Sequence, residues 1–272
     1  MATFHIIIVS LFATGMASNY CDYQLERLQT AKRNLHHNCT LKTTTVKTCC
    51  DVNDLYSCNA PSGIYQLKCW CGERWNRANV YCDTTSGDGG WIVIQRRKDG
   101  SVNFDRSIDD YEKGFGNLDG EFWYGLRAIH CLTYTGEWRS WELRIDFEFQ
   151  NRTKSYMHYS YFQLGPPGTY YVYLGKLLGI TPTDPIRTGG HNYRSFTTYD
   201  RDNDRYSGCC ATRYGRLRGN GGWWYNKCWH INPNLKFGPS QFGFLYLAGR
   251  WYNPRWIEMK IRPRNCQPLT LI

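Results

Sequence analysis

Hydrophobic and polar positions alternate most clearly over Leu143-Arg144-Ile145-Asp146-Phe147-Glu148-Phe149. Leu143, Ile145, Phe147 and Phe149 fall on one face and the charges on the other, the period-2 pattern of a half-buried strand. The apolar run Trp91-Ile92-Val93-Ile94 reads as a second strand, bounded by Gly-rich turns. Helical spacing is short wherever it occurs, and Ile108 to Phe115 and Phe122 to Ile129 are the predicted helices. Residues 50–263 repeat this mixture as one compositional unit. The pattern predicts an α+β domain with an antiparallel sheet, short helices and long loops. Loops of that length need bracing, and cysteines are the available staples.

Upstream the pattern changes. Phe4 to Ala17 is an apolar run ending in the small residues Gly15 and Ala17 before Ser18. That is the layout of a secretory signal peptide over residues 1–17, although no Lys or Arg precedes the run. Residues 18–48 form a cysteine-containing arm with neither Gly nor Trp. Within it, Leu25, Leu28, Ala31 and Leu35 recur at three- and four-residue steps. The arm reads either as a short oligomerising helix, tied through Cys21 or Cys39 into a disulfide-linked homo-oligomer, or as a segment packed on its own domain. Residues 264–272 read as a tail. No later stretch reaches the roughly 18 apolar residues of a membrane span. The expected mature chain is secreted and extracellular.

Composition sharpens this picture. The 272 residues include 33 Lys+Arg against 23 Asp+Glu, a net charge of +10, and 42% are hydrophobic, which excludes a wholly disordered chain. All 13 cysteines follow the predicted cleavage point. No pair of C-x2-C motifs supplies a zinc site, so disulfides are expected, with at least one cysteine left free or bridging to another chain. Asn38 and Asn151 head glycosylation sequons. The positive charge suits an anionic partner such as an acidic polysaccharide or a microbial surface. It is not gathered into the basic face that nucleic acid requires. There is no G-x-S-x-G elbow, no H-E-x-x-H, no P-loop and no G-x-G-x-x-G, so the expected protein is not an enzyme.

Two neighbouring stretches carry candidate binding chemistry. Asp200-Arg201-Asp202-Asn203-Asp204 alternates carboxylates in a polar loop. Such carboxylates converge on a hard cation, since Ca2+ takes six to eight oxygens at about 2.3–2.6 Å. The opening resembles an EF-hand, but Arg205 stands at its sixth position and Ala211 at its twelfth, so carbonyls of Tyr206 and Gly208 would have to complete a different cage. The competing reading is a solvated acidic turn paired with Arg201 and Arg205. Immediately beyond come Cys209, Cys210 and Tyr214, then Gly221-Gly222-Trp223-Trp224-Tyr225-Asn226-Lys227-Cys228-Trp229-His230. Its aromatic rings suit either a sugar-binding wall or the core, and a core position fits Trp223 and Trp224 better than Tyr214.

These stretches, together with Gly114-Phe115-Gly116-Asn117-Leu118-Asp119-Gly120-Glu121-Phe122-Trp123, Gln95-Arg96-Arg97 and Glu258-Met259-Lys260-Ile261-Arg262-Pro263, resemble the fibrinogen C-terminal globular domain. The resemblance implies a twisted antiparallel sheet with long loops braced by disulfides and calcium. It implies disulfides Cys50–Cys82 and Cys210–Cys228, a Ca2+ site made by Asp202 and Asp204 with the carbonyls of Tyr206 and Gly208, and a cis peptide between Lys227 and Cys228. Ficolin- and tachylectin-like members hold acetyl groups in the adjoining pocket, which maps here to Tyr214, Lys227, Cys228, Trp229 and His230. The implied function is a secreted, calcium-dependent lectin for acetylated glycans, in innate defence. The alternative is a signalling or matrix ligand for a protein receptor, as in angiopoietin- and tenascin-like relatives. Departures stand at Cys209, where the family usually has Asn, and at Trp229, which separates Cys228 from His230. The aromatic wall before the final strand also aligns poorly around Tyr246 and Trp251.

Overall fold

The computed structural model describes residues 47–55, 60–71, 74–135, 140–179, 181, 183–212, 220–237 and 244–266. The expected signal peptide, nearly all of the arm with Asn38, Cys21 and Cys39, and Tyr214 lie outside the described residues.

In chain order the elements are helix α1 (Cys49–Leu55), strands β1 (Gly63–Cys71), β2 (Arg74–Asp83) and β3 (Trp91–Arg97), helix α2 (Ile108–Lys113), strands β4 (Phe115–Gly116) and β5 (Phe122–Trp123), and helix α3 (Leu126–His130). There follow β6 (Trp141–Glu148), β7 (Lys154–Leu164), β8 (Val172–Leu174), helix α4 (Pro185–Thr188), β9 (Leu245–Leu247), β10 (Arg250–Tyr252) and β11 (Trp256–Pro263). The main sheet is antiparallel and runs β1-β2-β3-β11-β6-β7-β8. The strand latest in sequence is therefore central, with Met259 opposite both Gln95 and Ile145. Leu143, Ile145, Phe147, Ile257, Met259 and Ile261 are all buried on the core side. Phe149 lies past the end of β6, half-buried against Phe147 and Tyr252 at 5.3 Å each.

The helix expectation over Phe122 to Ile129 is corrected. Phe122 and Trp123 are strand, and the helix begins only at Leu126. Gly125, at φ 109, sits between the two conformations, and few L side chains adopt that backbone. The helix from Ile108 starts under Ser107, whose hydroxyl accepts from Asp110 N, and stops at Gly114.

The run ending in Glu121 has a structural purpose. Glu121 is fully buried and accepts from the backbone N–H groups of Lys98, Asp99 and Gly100 at 2.7–3.0 Å, from Val102 N at 3.2 Å and from Arg97 Nε at 3.3 Å. Burial alone would raise its pKa, but Arg97 and these N–H groups hold it below the usual carboxylate range. One side chain thus ties the turn after β3 to the β4–β5 ribbon.

One disulfide expectation is also corrected. Cys82 pairs with Cys49, and Cys50 pairs with Cys266. Successive residues on a helix point about 100° apart. Cys49 of α1 is therefore directed inward to β2, while Cys50 faces Gly90 and Cys266, just after β11. Cys131 is disulfide-bonded as well.

Candidate calcium loop and aromatic recess

The acidic loop is held by its own non-ligand residues. Asn203 donates from its backbone to Thr197 Oγ1 at 3.0 Å and from its side chain to the Phe196 carbonyl at 2.8 Å. Asp200 accepts from Ile108 N at 3.0 Å and from Thr198 Oγ1 at 2.7 Å, which docks the loop on the start of α2. That pinning brings Asp202 and Asp204 together. Ligand atoms of the two carboxylates and the Cys209 sulfur lie within 4.8 Å of one another. Asp204 accepts from Tyr206 N and Cys210 N at 2.8 Å each, and Asp202 accepts from Asp204 N at 3.1 Å. Burial pushes the Asp204 carboxyl above its ordinary pKa. The N–H bonds pull it down and the Asp202 charge pushes it further up.

Two carboxylates in such a turn suit a hard cation, with Tyr206 and Gly208 in the same turn. The Cys209 thiol is the discordant member, because a hard ion prefers oxygen. Cys209 is a free cysteine, and burial raises its pKa.

The loop is fastened to the segment beyond it. Cys210 is disulfide-bonded to Cys228, and Arg205 N donates to the Asn226 carbonyl at 2.9 Å. The expected cis bond is absent: among the described residues every peptide is trans. Instead Cys228 takes φ 72, a left-handed conformation costly for a residue with a Cβ, and the disulfide holds it there.

The segment from Trp223 to His230 divides by burial. Trp223, Trp224 and Tyr225 are core. Asn220, Asn232 and the Tyr225 hydroxyl hydrogen-bond one another beneath the loop. Lys227 points to solvent and Trp229 is half-buried, its ring 5.7 Å from that of Tyr225. His230 goes elsewhere. Its ring lies 5.1 Å from Tyr246 and 6.5 Å from Trp251, and Tyr246 and Trp251 are 5.1 Å apart. These three half-buried rings are the candidate walls of a ligand recess, to which the ring of His230 belongs and the ring of Trp229 does not. The hairpin of β9 and β10 supplies two of the three, with Tyr246 opposite Trp251 in register.

Sequence reasoning missed His191. It is buried under the recess and bonded to Trp224 O and to His230 N. No local motif marks it, because its partners lie 33 and 39 residues away.

The family model for the C-terminal globular domain of fibrinogen beta and gamma chains matches residues 45–264. The chain belongs to this fibrinogen C-terminal domain family. Human ficolin-3 is 38% identical over 195 residues, covering 70% of this chain and 61% of ficolin-3. Fibrinogen-like protein A of Apostichopus parvimensis is 38% identical over 227 residues, covering 80% of this chain and 75% of that protein. Human angiopoietin-related protein 2 is 44% identical over 169 residues, covering 61% of this chain but only 31% of that protein. Among solved structures, the fibrinogen-like globe domain of human ANGPTL2 superposes with a TM-score of 0.70 at 34% identity, covering 80% of this chain and 99% of that one. A lamprey fibrin D-dimer complexed with the peptide Gly-His-Arg-Pro-amide gives 0.68 at 28% identity, covering 97% of this chain and 90% of that one. The family thus spans ficolins, fibrinogen-like proteins and angiopoietin-related proteins. Among the described residues no helix is long and apolar enough to cross a membrane.

Proposed function

We propose that the chain is a secreted recognition lectin. In this reading Asp202 and Asp204 hold Ca2+ with the Tyr206 and Gly208 carbonyls, and the ion fixes the loop that Cys210–Cys228 closes. The recess beside it takes acetyl groups of glycans on microbial surfaces, as an innate-defence receptor does. His230 supplies one wall. Tyr214 and the backbone of Lys227, Cys228 and Trp229 supply the remainder. It binds and does not catalyse. Single-site affinity is weak, and linking several heads through arm cysteines would raise avidity. Asn151, exposed in the turn between β6 and β7, is open to glycosylation, and Asn38 is the second acceptor.

The observation that carries this reading is the direct fastening of the acidic loop to the segment leading into the recess, through Cys210–Cys228 and Arg205 N to Asn226 O. A cation that stiffens the loop therefore stiffens the recess. The test is retention on an N-acetylglucosamine resin, with elution by EDTA or by free acetate. Retention indifferent to both overturns the lectin reading.

The 44% identity to human angiopoietin-related protein 2 over 169 residues, a shorter match than the 195 residues shared with ficolin-3, supports a second reading. There the same domain is a signalling or matrix ligand for a protein receptor. Retention on a receptor surface, but on no acetylated glycan, would select it.

A further inference from the structure

A trough of about 760 Å³ crosses the sheet face opposite the Ile145–Met259 core. Sites that bury small ligands enclose about 300–1,000 Å³. None of the trough's lining belongs to the acidic loop or to the recess. Lys260, 1% exposed, forms its floor. The Lys260 Nζ lies 2.5 Å from Asp83 Oδ2, 2.7 Å from Asp146 Oδ2 and 2.9 Å from Glu258 Oε1. Arg96 reaches Glu258 at 2.6 Å and Arg144 reaches Asp146 at 2.8 Å. Three cations thus meet three carboxylates and the floor is neutral. The two guanidinium groups lie over rings, Arg96 at 4.0 Å from the Tyr81 centroid and Arg144 at 3.7 Å from that of Tyr156.

A buried ionic network is rarely the most stable filling for such a space, since apolar side chains of equal volume do as well or better. The same strands use Ile and Met on their other face. What the network creates is a rigid polar surface whose side chains are already fixed by one another. The charge left over sits on the rim. Lys98 and Lys154 are exposed, Arg255 is half-exposed, and Glu148, paired with Arg255 at 2.6 Å, is the opposing carboxylate. Three cations less one carboxylate leave +2 above a neutral floor. Hydroxyls of Ser62, Thr85 and Ser155 add small polar groups to the lining.

The floor of the trough lies on β2, β3, β11 and β6, which are interior strands with neighbours on both sides, and its rim reaches the start of β7. Its floor offers no sheet edge to which a peptide backbone could add. Recognition must come from rings, hydroxyls and rim cations, a set that matches sugar rings carrying anionic groups. We propose that this trough is a second binding site, for a segment of anionic saccharide. The sugar hydroxyls meet the floor, and sulfate or carboxylate groups meet Lys98 and Lys154.

The test is titration calorimetry of the full chain with a sulfated heparin-type hexasaccharide, at about 50 and 200 mM salt and in EDTA. Binding is expected to survive chelation and to weaken at the higher salt. It should fall about tenfold in the Lys98→Glu/Lys154→Glu variant, since rim charges govern attraction of this kind. Lys98→Gln/Lys154→Gln should lose less, and both variants should melt with the parent because the two side chains are exposed. Unchanged affinity in the double variants overturns the proposal, and so does loss of binding in EDTA. Equal affinity for a neutral dextran fragment removes the role of the rim. Tighter binding of a poly-glutamate peptide assigns the trough to an acidic protein instead.

Discussion

The backbone N–H of His230 donates to Nε2 of His191 at 3.1 Å. Nε2 is therefore the bare nitrogen, and Nδ1 carries the proton that is donated to the Trp224 carbonyl at 2.8 Å. One neutral imidazole links the wall of the recess to the core beneath it.

Acid should loosen this link. Burial pushes the His191 pKa down to about 4, the Trp224 bond opposes the shift, and the nearby His230 and Arg194 add to it. In the unfolded chain a histidine titrates near 6.5. Between those values the unfolded state binds the extra proton, so stability is full above about pH 6.5 and declines as pH falls towards 4. The loss should reach about 3 kcal/mol. Glu121 and Glu142, both held below the ordinary carboxylate value of 4.5, keep their full stabilisation above that pH and lose it only beneath it. Urea unfolding across pH 4.5 to 7 checks the slope, which His191→Gln should flatten. A parent slope equal to that of the variant would remove His191 from the account.

Calcium should raise the melting temperature of the parent chain. Free ion at 100 times its dissociation constant adds about 2.7 kcal/mol. The Asp202→Ala/Asp204→Ala variant should lose the calcium response entirely while remaining folded in EDTA. Scanning calorimetry with millimolar calcium and with EDTA decides this. Identical parent curves in the two conditions would count against the metal.

Glu121→Gln should destabilise the domain by about 3–5 kcal/mol. It leaves buried Arg97 without its counter-charge and sets an amide NH2 against backbone donors. The midpoint of urea unfolding reads the change directly. A loss below about 1 kcal/mol would show that water or a rearranged turn replaces the carboxylate.

Gly90→Ala should prevent closure of Cys50–Cys266. Gly90 has φ 75, and an added Cβ would stand 2.5 Å from the Cys266 sulfur. Alkylation under non-reducing denaturing conditions should label two additional thiols, located by mass spectrometry at Cys50 and Cys266. An unchanged thiol count would mean the backbone shifts at little cost.

Much of the fold is legible in the chain because alternation is a local property. Leu143, Ile145 and Phe147 announce β6 without knowledge of its neighbours. Phe122 and Trp123 look helical in the sequence because a two-residue strand has no period to read, and pairing with Gln95 and Arg96 decides their state. Cys49 and Cys50 are adjacent, so the sequence does not tell which of them meets Cys82, and only the orientation of α1 separates their partners. The acidic loop was visible as a spacing of carboxylates. The recess was not, since Tyr246 and Trp251 meet His230 only through the β9–β10 hairpin. His191 was invisible for the same reason.

The bond between Cys50 and Cys266 spans nearly the whole described domain. In the extracellular setting proposed above the chain would meet proteases, and exposed loops are their natural targets. A single nick anywhere between those two cysteines would release no fragment, because both pieces stay on one covalent ring. Damage to a loop would remain a local scar, and the molecule would keep its mass until the surroundings became reducing.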